Sequence, residues 1–108
     1  LWDIPLLSSI QTKVNKDISA WIRCDYEKLN IVATYNLVYN ASLMVLENIG
    51  YALCLDKLVN TSGHSELCFR PLEPVLEAEI NIIWKKYQVF SKAADALLDS
   101  MRSEFKQL

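Results

Sequence analysis

The chain has 108 residues, 52% of them apolar, and a formal net charge of -2 at pH 7. A composition with two glycines and three prolines is typical of one globular domain or lobe and argues against a disordered chain. Acidic and basic residues are mixed, so no basic stripe indicates nucleic-acid binding and no polybasic run indicates a membrane surface. Every apolar run is shorter than the roughly 20 residues of a spanning helix, so we expect no membrane partner.

The cysteine pattern bears on the cellular compartment. Cys24, Cys54 and Cys68 are odd in number, widely spaced and without a Cys-x-x-Cys pair. This pattern is typical of reduced thiols in or near a core and predicts a cytoplasmic protein, with a disulfide or metal role as the alternative. The chain begins at Leu1 without an initiator methionine, so we expect it to be part of a longer protein.

The first predicted elements are a strand and a helix. Residues 4–7 read as a short strand, and Ser8 or Ser9 can cap the helix predicted over residues 10–23. One face of this helix carries apolar side chains at helical spacing, namely Val14, Ile18, Trp21 and Ile22.

A strand–helix–strand unit over residues 30–55 organises the rest of the chain. Residues 30–35 are β-branched and aromatic, as in a buried strand, and residues 51–55 form a second apolar strand. Two strands joined through a helix normally run parallel with a right-handed crossover.

The helix between these strands has candidate residues at both ends. Asn36 or Asn40 can cap its start, and Asn48 or Gly50 can take the left-handed turn that ends it. Three residues widen its apolar surface and predict a helix covered on more than one side: Tyr39, Leu43 and Leu46.

The last third of the chain predicts two more strands, over residues 66–72 and 79–85, and a helix capped by Ser91. The apolar stripe of that helix comprises Phe90, Ala94, Leu97, Leu98, Met101, Phe105 and Leu108, with Lys106 among the polar residues opposite. Helices that alternate with strands predict an α/β fold whose mixed, mainly parallel sheet is covered on both faces.

No catalytic constellation is present. His64 is the single histidine and lies in a polar loop, and the glycine-rich and nucleophile-elbow motifs of phosphate-binding proteins and hydrolases are missing. We therefore expect neither catalysis, nor a metal, nor a cofactor.

Polar side chains follow two of the predicted parallel strands. Ligands of such folds bind beyond the carboxyl ends of the strands, at helix starts that favour an anion. We predict a ligand site there, and the alternative is that these residues only cap helices or pack in the core. The candidates are Ser8, Ser9, Thr34, Tyr35 and Asn36.

Four segments in order resemble the effector-binding domain of LysR-type transcriptional regulators. Residues 45–53 match its valine-rich helix, turn and short strand, and residues 69–72 match a Phe-Arg-x-Leu-like strand. Residues 80–86 match a strand that ends in tryptophan and basic residues, and residues 90–94 match the start of its last helix. The chain departs from the family pattern at Asn48, often glycine, and at Asp56, usually proline, which affects local turns.

The resemblance implies the three-layer α/β/α lobes of a periplasmic-binding-protein-like type II fold. Residues 4–72 would belong to the second lobe, and residues 79–108 would return to the first lobe. A small-molecule effector would bind in the cleft between the lobes, and the helix N-termini there favour an anionic one. The domain would dimerise, and DNA would be bound only by an N-terminal helix-turn-helix domain absent from this chain.

The alternative is a lobe of a periplasmic-type solute-binding protein for transport, which would share the fold and the cleft. A secretory signal upstream would favour transport, whereas a helix-turn-helix would favour the regulator. In either case we expect apolar surface to be exposed in this chain, mainly on the last helix, and expect self-association.

Overall fold

The computed structural model describes residues 1–13 and 17–105. The chain divides into two compact units, Leu1–Ala78 and Glu79–Leu108, which we call the first and the second unit. The boundary coincides with the start of the strand predicted over residues 79–85. The assignment of these units to two lobes stays a prediction.

The first unit contains a three-stranded parallel sheet in the order β2-β1-β3. The strands are β1 (Leu6–Ser9), β2 (Ile31–Tyr35) and β3 (Tyr51–Leu53). The predicted α/β class and the parallel strand–helix–strand unit are confirmed. Strand β1 begins and ends two residues later than predicted. Ser8 and Ser9 therefore lie inside it rather than in a loop after it, and both pair with β2.

The core of this unit lies between the sheet and one helix. Leu7 is fully buried and is in register with Ala33 on β2 and Ala52 on β3. Small side chains on the neighbouring strands leave room for the helix to approach the sheet. The core cluster consists of Leu7, Tyr35 and Ala41, with Ala33, Val38, Met44, Val45 and Ala52 packed against it.

Helix α1 spans Asp17–Ile22 and helix α2 spans Val38–Leu46. Asn48 ends α2 in the left-handed conformation, with φ of 57°, as one of the two predicted alternatives. Its N–H donates to the Val45 carbonyl and the N–H of Ile49 donates to the Met44 carbonyl, which is a Schellman motif. Arg23 ends α1 in the same way, with φ of 54°.

Both N-cap residues predicted for α2, Asn36 and Asn40, are wrong. Leu37 occupies the N-cap position in an extended conformation and makes no side-chain cap bond. Asn36 therefore lies one residue too early, and Asn40 lies inside the helix, where its side chain cannot reach the first free N–H groups.

The outer side of α2 is also not covered as predicted. Tyr39, Leu43 and Leu46 are all exposed, with Tyr39 at 68%. The helix contacts the sheet through Ala41 and its neighbours only, because a single sheet face can bury a single stripe of a helix.

The predicted helix over residues 10–23 differs at its start. Ile10–Lys13 forms a 3-10 helix, and α1 covers Asp17–Ile22. The β-branched Ile10 and Thr12 have low α-helix propensity, which favours the tighter turn. Val14 lies outside the described residues.

The strands predicted over residues 66–72 and 79–85 do not form in the described residues. Pro71 and Pro74 lack the N–H that a strand ladder needs, and the apolar pattern of residues 79–85 finds no neighbouring strand. An apolar pattern alone cannot make a strand, because the ladder needs a partner.

Helix α3 spans Lys92–Glu104 in the second unit, and its predicted cap is confirmed. The Ser91 hydroxyl accepts a hydrogen bond from the Ala94 N–H at 3.2 Å. None of the helix residues is buried. Lys106 and Leu108 lie outside the described residues. Within those residues, no helix is long and apolar enough to cross a membrane.

We predict that Gly50→Ala destabilises the first unit by about 1–3 kcal/mol, the usual cost of overpacking. A Cβ at this position would meet the Pro5 carbonyl oxygen at 2.7 Å. That oxygen accepts the hydrogen bond of the Tyr51 N–H at 2.9 Å, so the added methyl separates β3 from the start of β1. Urea unfolding followed by circular dichroism measures the change.

Gly63→Ala is the matched control. A Cβ there meets no atom within 4 Å, although φ is +64°, so only the backbone cost of roughly 1 kcal/mol applies. Equal destabilisation by the two variants would show that the Pro5 contact does not constrain the strands.

Candidate functional site

The carboxyl ends of the three parallel strands bring the predicted site residues together. Ser8 is in register with Thr34 on one side and Leu53 on the other, and Ser9 is in register with Tyr35. Four of the five predicted residues are therefore neighbours across β1 and β2, as the strand–helix–strand pattern predicts.

Ser8 lies inside the protein. The side chain is fully buried, and its hydroxyl has no hydrogen-bond partner in the described part of the chain. A buried hydroxyl without a partner is costly. The position is closed to solvent, so a ligand contact at Ser8 would require the surrounding chain to move.

The side chain of Tyr35 stabilises the fold. Its side chain is 8% exposed, and its hydroxyl donates a hydrogen bond to the Leu53 carbonyl at 2.5 Å. Burial, with smaller contributions from Cys54 and Tyr26, raises the pKa of Tyr35 from 10.0 to about 12. The hydroxyl ties the ends of β2 and β3 together, and contact with a ligand at Tyr35 stays a prediction.

The remaining three candidates are more accessible. Ser9 is half-buried, and its hydroxyl accepts a hydrogen bond from the Gln11 N–H at 3.3 Å. Thr34 and Asn36 are exposed. Asn36 precedes α2 without capping it.

A cavity of about 460 Å³ lies beside β2 in the first unit. It is lined by Ser9, Ile10, Tyr26, Glu27, Leu29, Ile31 and Thr34. Its volume lies within the usual range of small-molecule sites, roughly 300–1,000 Å³. Ser9 and Thr34, two of the predicted residues, face this one cavity. It extends along β2 from Ile31 to Thr34, whereas the sequence predicted a site beyond the carboxyl ends alone.

The lining combines three aliphatic side chains with four residues that carry polar groups. Glu27 is the single charged side chain in it, and Ser9 and Thr34 supply hydroxyls. The Tyr26 hydroxyl is buried and has no hydrogen-bond partner in the part of the chain that is described.

Sequence reasoning missed five of the lining residues. Tyr26 and Glu27 belong to a short 3-10 helix, Tyr26–Lys28, and Leu29 follows it directly before β2. Ile10 opens the other 3-10 helix. No motif marks these positions. Ile10 follows β1 and Tyr26–Leu29 precedes β2, and only the folded chain brings them around one cavity.

The described residues contain no cluster of metal-ligating side chains. All three cysteines are free. Burial, followed by the charge of Asp56, raises the pKa of Cys54. The thiol is therefore held in its protonated and less nucleophilic form.

We predict that Tyr35→Phe lowers the free energy of unfolding by about 1–2 kcal/mol at neutral pH, because the Leu53 carbonyl loses its buried donor. Folding raises the pKa of this hydroxyl, so its contribution is fully present below pH 10. It is lost as the pH rises through the folded value of about 12. Urea unfolding of both proteins at several pH values measures the difference.

Tyr39→Phe is the control, since Tyr39 is exposed and its hydroxyl makes no bond within the described residues. We expect a change within about 0.5 kcal/mol, typical of surface substitutions. A stability difference for Tyr35→Phe that stays constant above pH 10 would contradict the assignment of the raised pKa.

No protein-family model, no curated protein and no solved structure matches the chain. The resemblance to LysR-type regulators therefore stays a prediction drawn from the residues of this chain.

Proposed function

We propose that the chain binds a small-molecule effector as part of a LysR-type transcriptional regulator. The order of four family-like segments supports this proposal, as does a parallel α/β sheet whose carboxyl edge carries hydroxyl side chains. The observation that carries it is the position of Ser9 and Thr34. These residues, on adjacent parallel strands, line one cavity large enough for a metabolite.

In this proposal the cavity holds the apolar part of the effector against Ile10, Leu29 and Ile31. The hydroxyls of Ser9 and Thr34 orient its polar groups. Polar groups placed beside apolar side chains are typical of metabolite sites, because burial supplies affinity and each hydrogen bond supplies specificity.

The charge of the lining narrows the class of effector. Glu27 is the one charged residue among those that line the cavity. A carboxylate in the site repels an anion and favours an amine or another hydrogen-bond donor. We therefore propose a neutral or cationic effector at this cavity. The anion expected from the helix starts lacks a matching charge here.

The protein acts by binding and not by catalysis in this proposal. It works in the cytoplasm as a homodimer, and a helix-turn-helix domain outside this sequence contacts the DNA. The type II periplasmic-binding-protein fold is part of the same proposal. Effector binding would shift the position of that DNA-binding domain, which is the usual logic of a ligand-driven regulator.

We expect Ser9→Trp to abolish the effector response of the full-length regulator, because an indole would fill the cavity. Thr34→Val is the milder variant. It keeps the volume, removes one hydroxyl and should weaken effector binding by roughly fivefold to tenfold, the worth of one hydrogen bond. Effector titration by calorimetry measures the binding, and a DNA-release assay measures the response.

Thr61→Val and Thr61→Trp are the matched controls, since Thr61 is an exposed loop residue outside the cavity. Both should bind effector like the parent protein. A Ser9→Trp protein that folds and responds normally would remove this cavity from the proposal. A secretory signal upstream of the chain, instead of a helix-turn-helix, would move the function to solute transport.

A further inference from the structure

Residues 79–85 of the second unit form an apolar segment without a strand partner. The segment reads Glu-Ile-Asn-Ile-Ile-Trp-Lys and forms neither helix nor strand. Ile80 and Ile83 are 76% and 89% exposed, and Ile82 and Trp84 are also exposed. Isoleucine and tryptophan have high β propensity. The segment therefore has the composition of a β-strand, but no neighbouring strand in the described residues pairs with it.

The two ends of the segment carry opposite charges. Glu79 is at its start and Lys85 is at its end. Neither residue forms an ion pair with another described residue. A segment that is negative at one end and positive at the other is complementary to a copy of itself running in the opposite direction.

One antiparallel register pairs five of the seven residues favourably and leaves Asn81 opposite Ile83. With Ile82 opposite Ile82 of the second copy, Glu79 lies opposite Lys85 and Ile80 lies opposite Trp84. Opposite charges, and aromatic residues facing β-branched residues, are the favourable cross-strand pairs. Because side chains alternate along a strand, Ile80, Ile82 and Trp84 of both copies share one face. A shift by one residue would place a charged side chain opposite an apolar one, either Glu79 opposite Trp84 or Ile80 opposite Lys85.

We propose that two copies of this chain associate through residues 79–85 as an antiparallel β pair about a two-fold axis. The same patch serves both partners, as a two-fold interface requires. The pairing satisfies backbone groups that lack a ladder in the single chain and removes exposed isoleucine side chains from water. It does not depend on effector binding.

Helix α3, in the same unit, adds to this surface. The guanidinium of Arg102 lies 5.4 Å from the centre of the Trp84 ring, so α3 borders the segment. Its Leu97 and Phe105 are exposed as well. Two strands alone form a marginal interface, and these apolar side chains enlarge it.

Charge reversal tests the register. Glu79→Lys and Lys85→Glu each place like charges opposite each other twice in one dimer. We expect each to raise the dimer dissociation constant by roughly tenfold or more. The double variant Glu79→Lys with Lys85→Glu restores both pairs in reversed order and should recover the parent constant. Sedimentation equilibrium of the 108-residue chain measures the constants.

Glu66→Lys is the control, because it makes the same charge change at an exposed residue of the first unit. It should leave the dissociation constant within about twofold of the parent, and circular dichroism should show the same helix content in every variant. A chain that stays monomeric at every accessible concentration would overturn the proposal. So would a double variant no tighter than the singles, or a loss with Glu66→Lys as large as with Glu79→Lys.

Discussion

Strand β1 has hydrogen-bonded neighbours on both sides, and the rest of the first unit depends on that position. Its Leu6, Leu7 and Ser8 are the largest fully buried side chains in the described residues. A strand paired at both edges has no open edge, and both of its faces can be covered as well. Gly50 is part of the same constraint, since the chain passes the Pro5 carbonyl there too closely for any Cβ. Parallel pairing then places the ends of all three strands at one edge.

Some polar side chains at that edge stabilise the fold, and others are accessible from the cavity. Tyr35 uses its hydroxyl to hold β3, and Ser8 is sealed in the interior. Ser9 and Thr34 remain beside the cavity. The hydroxyl groups that the sequence did not distinguish thus have different environments in the structure. Each environment depends on the face of the strand that carries the side chain and on the segment that covers that face.

Exposed apolar surface is the other feature that needs a physical account. The outer side of α2 and most of the second unit carry large apolar side chains in contact with solvent. Such patches mark interfaces in soluble proteins. In the second unit the charges at the two ends of residues 79–85 distinguish a second copy from other partners, because the segment complements itself only when the copies run antiparallel. On α2 no comparable charge pattern indicates a partner.

Local signals in the sequence determined what depends on near neighbours in the chain. The Ser91 cap and the left-handed turn at the end of α2 were predictable because each is decided within a few residues. The strands and helix of residues 31–53 were predictable from their apolar patterns, although both strands pair with the distant β1. The cavity, the buried state of Ser8 and the unpaired state of residues 79–85 were decided by the tertiary structure alone. Each depends on which distant segment lies alongside, as when Tyr26 and Glu27 line the same cavity as Ser9. Alternating apolar residues indicate that a segment can form a strand. The strand forms only where a neighbouring strand offers free N–H and C=O groups for hydrogen bonds.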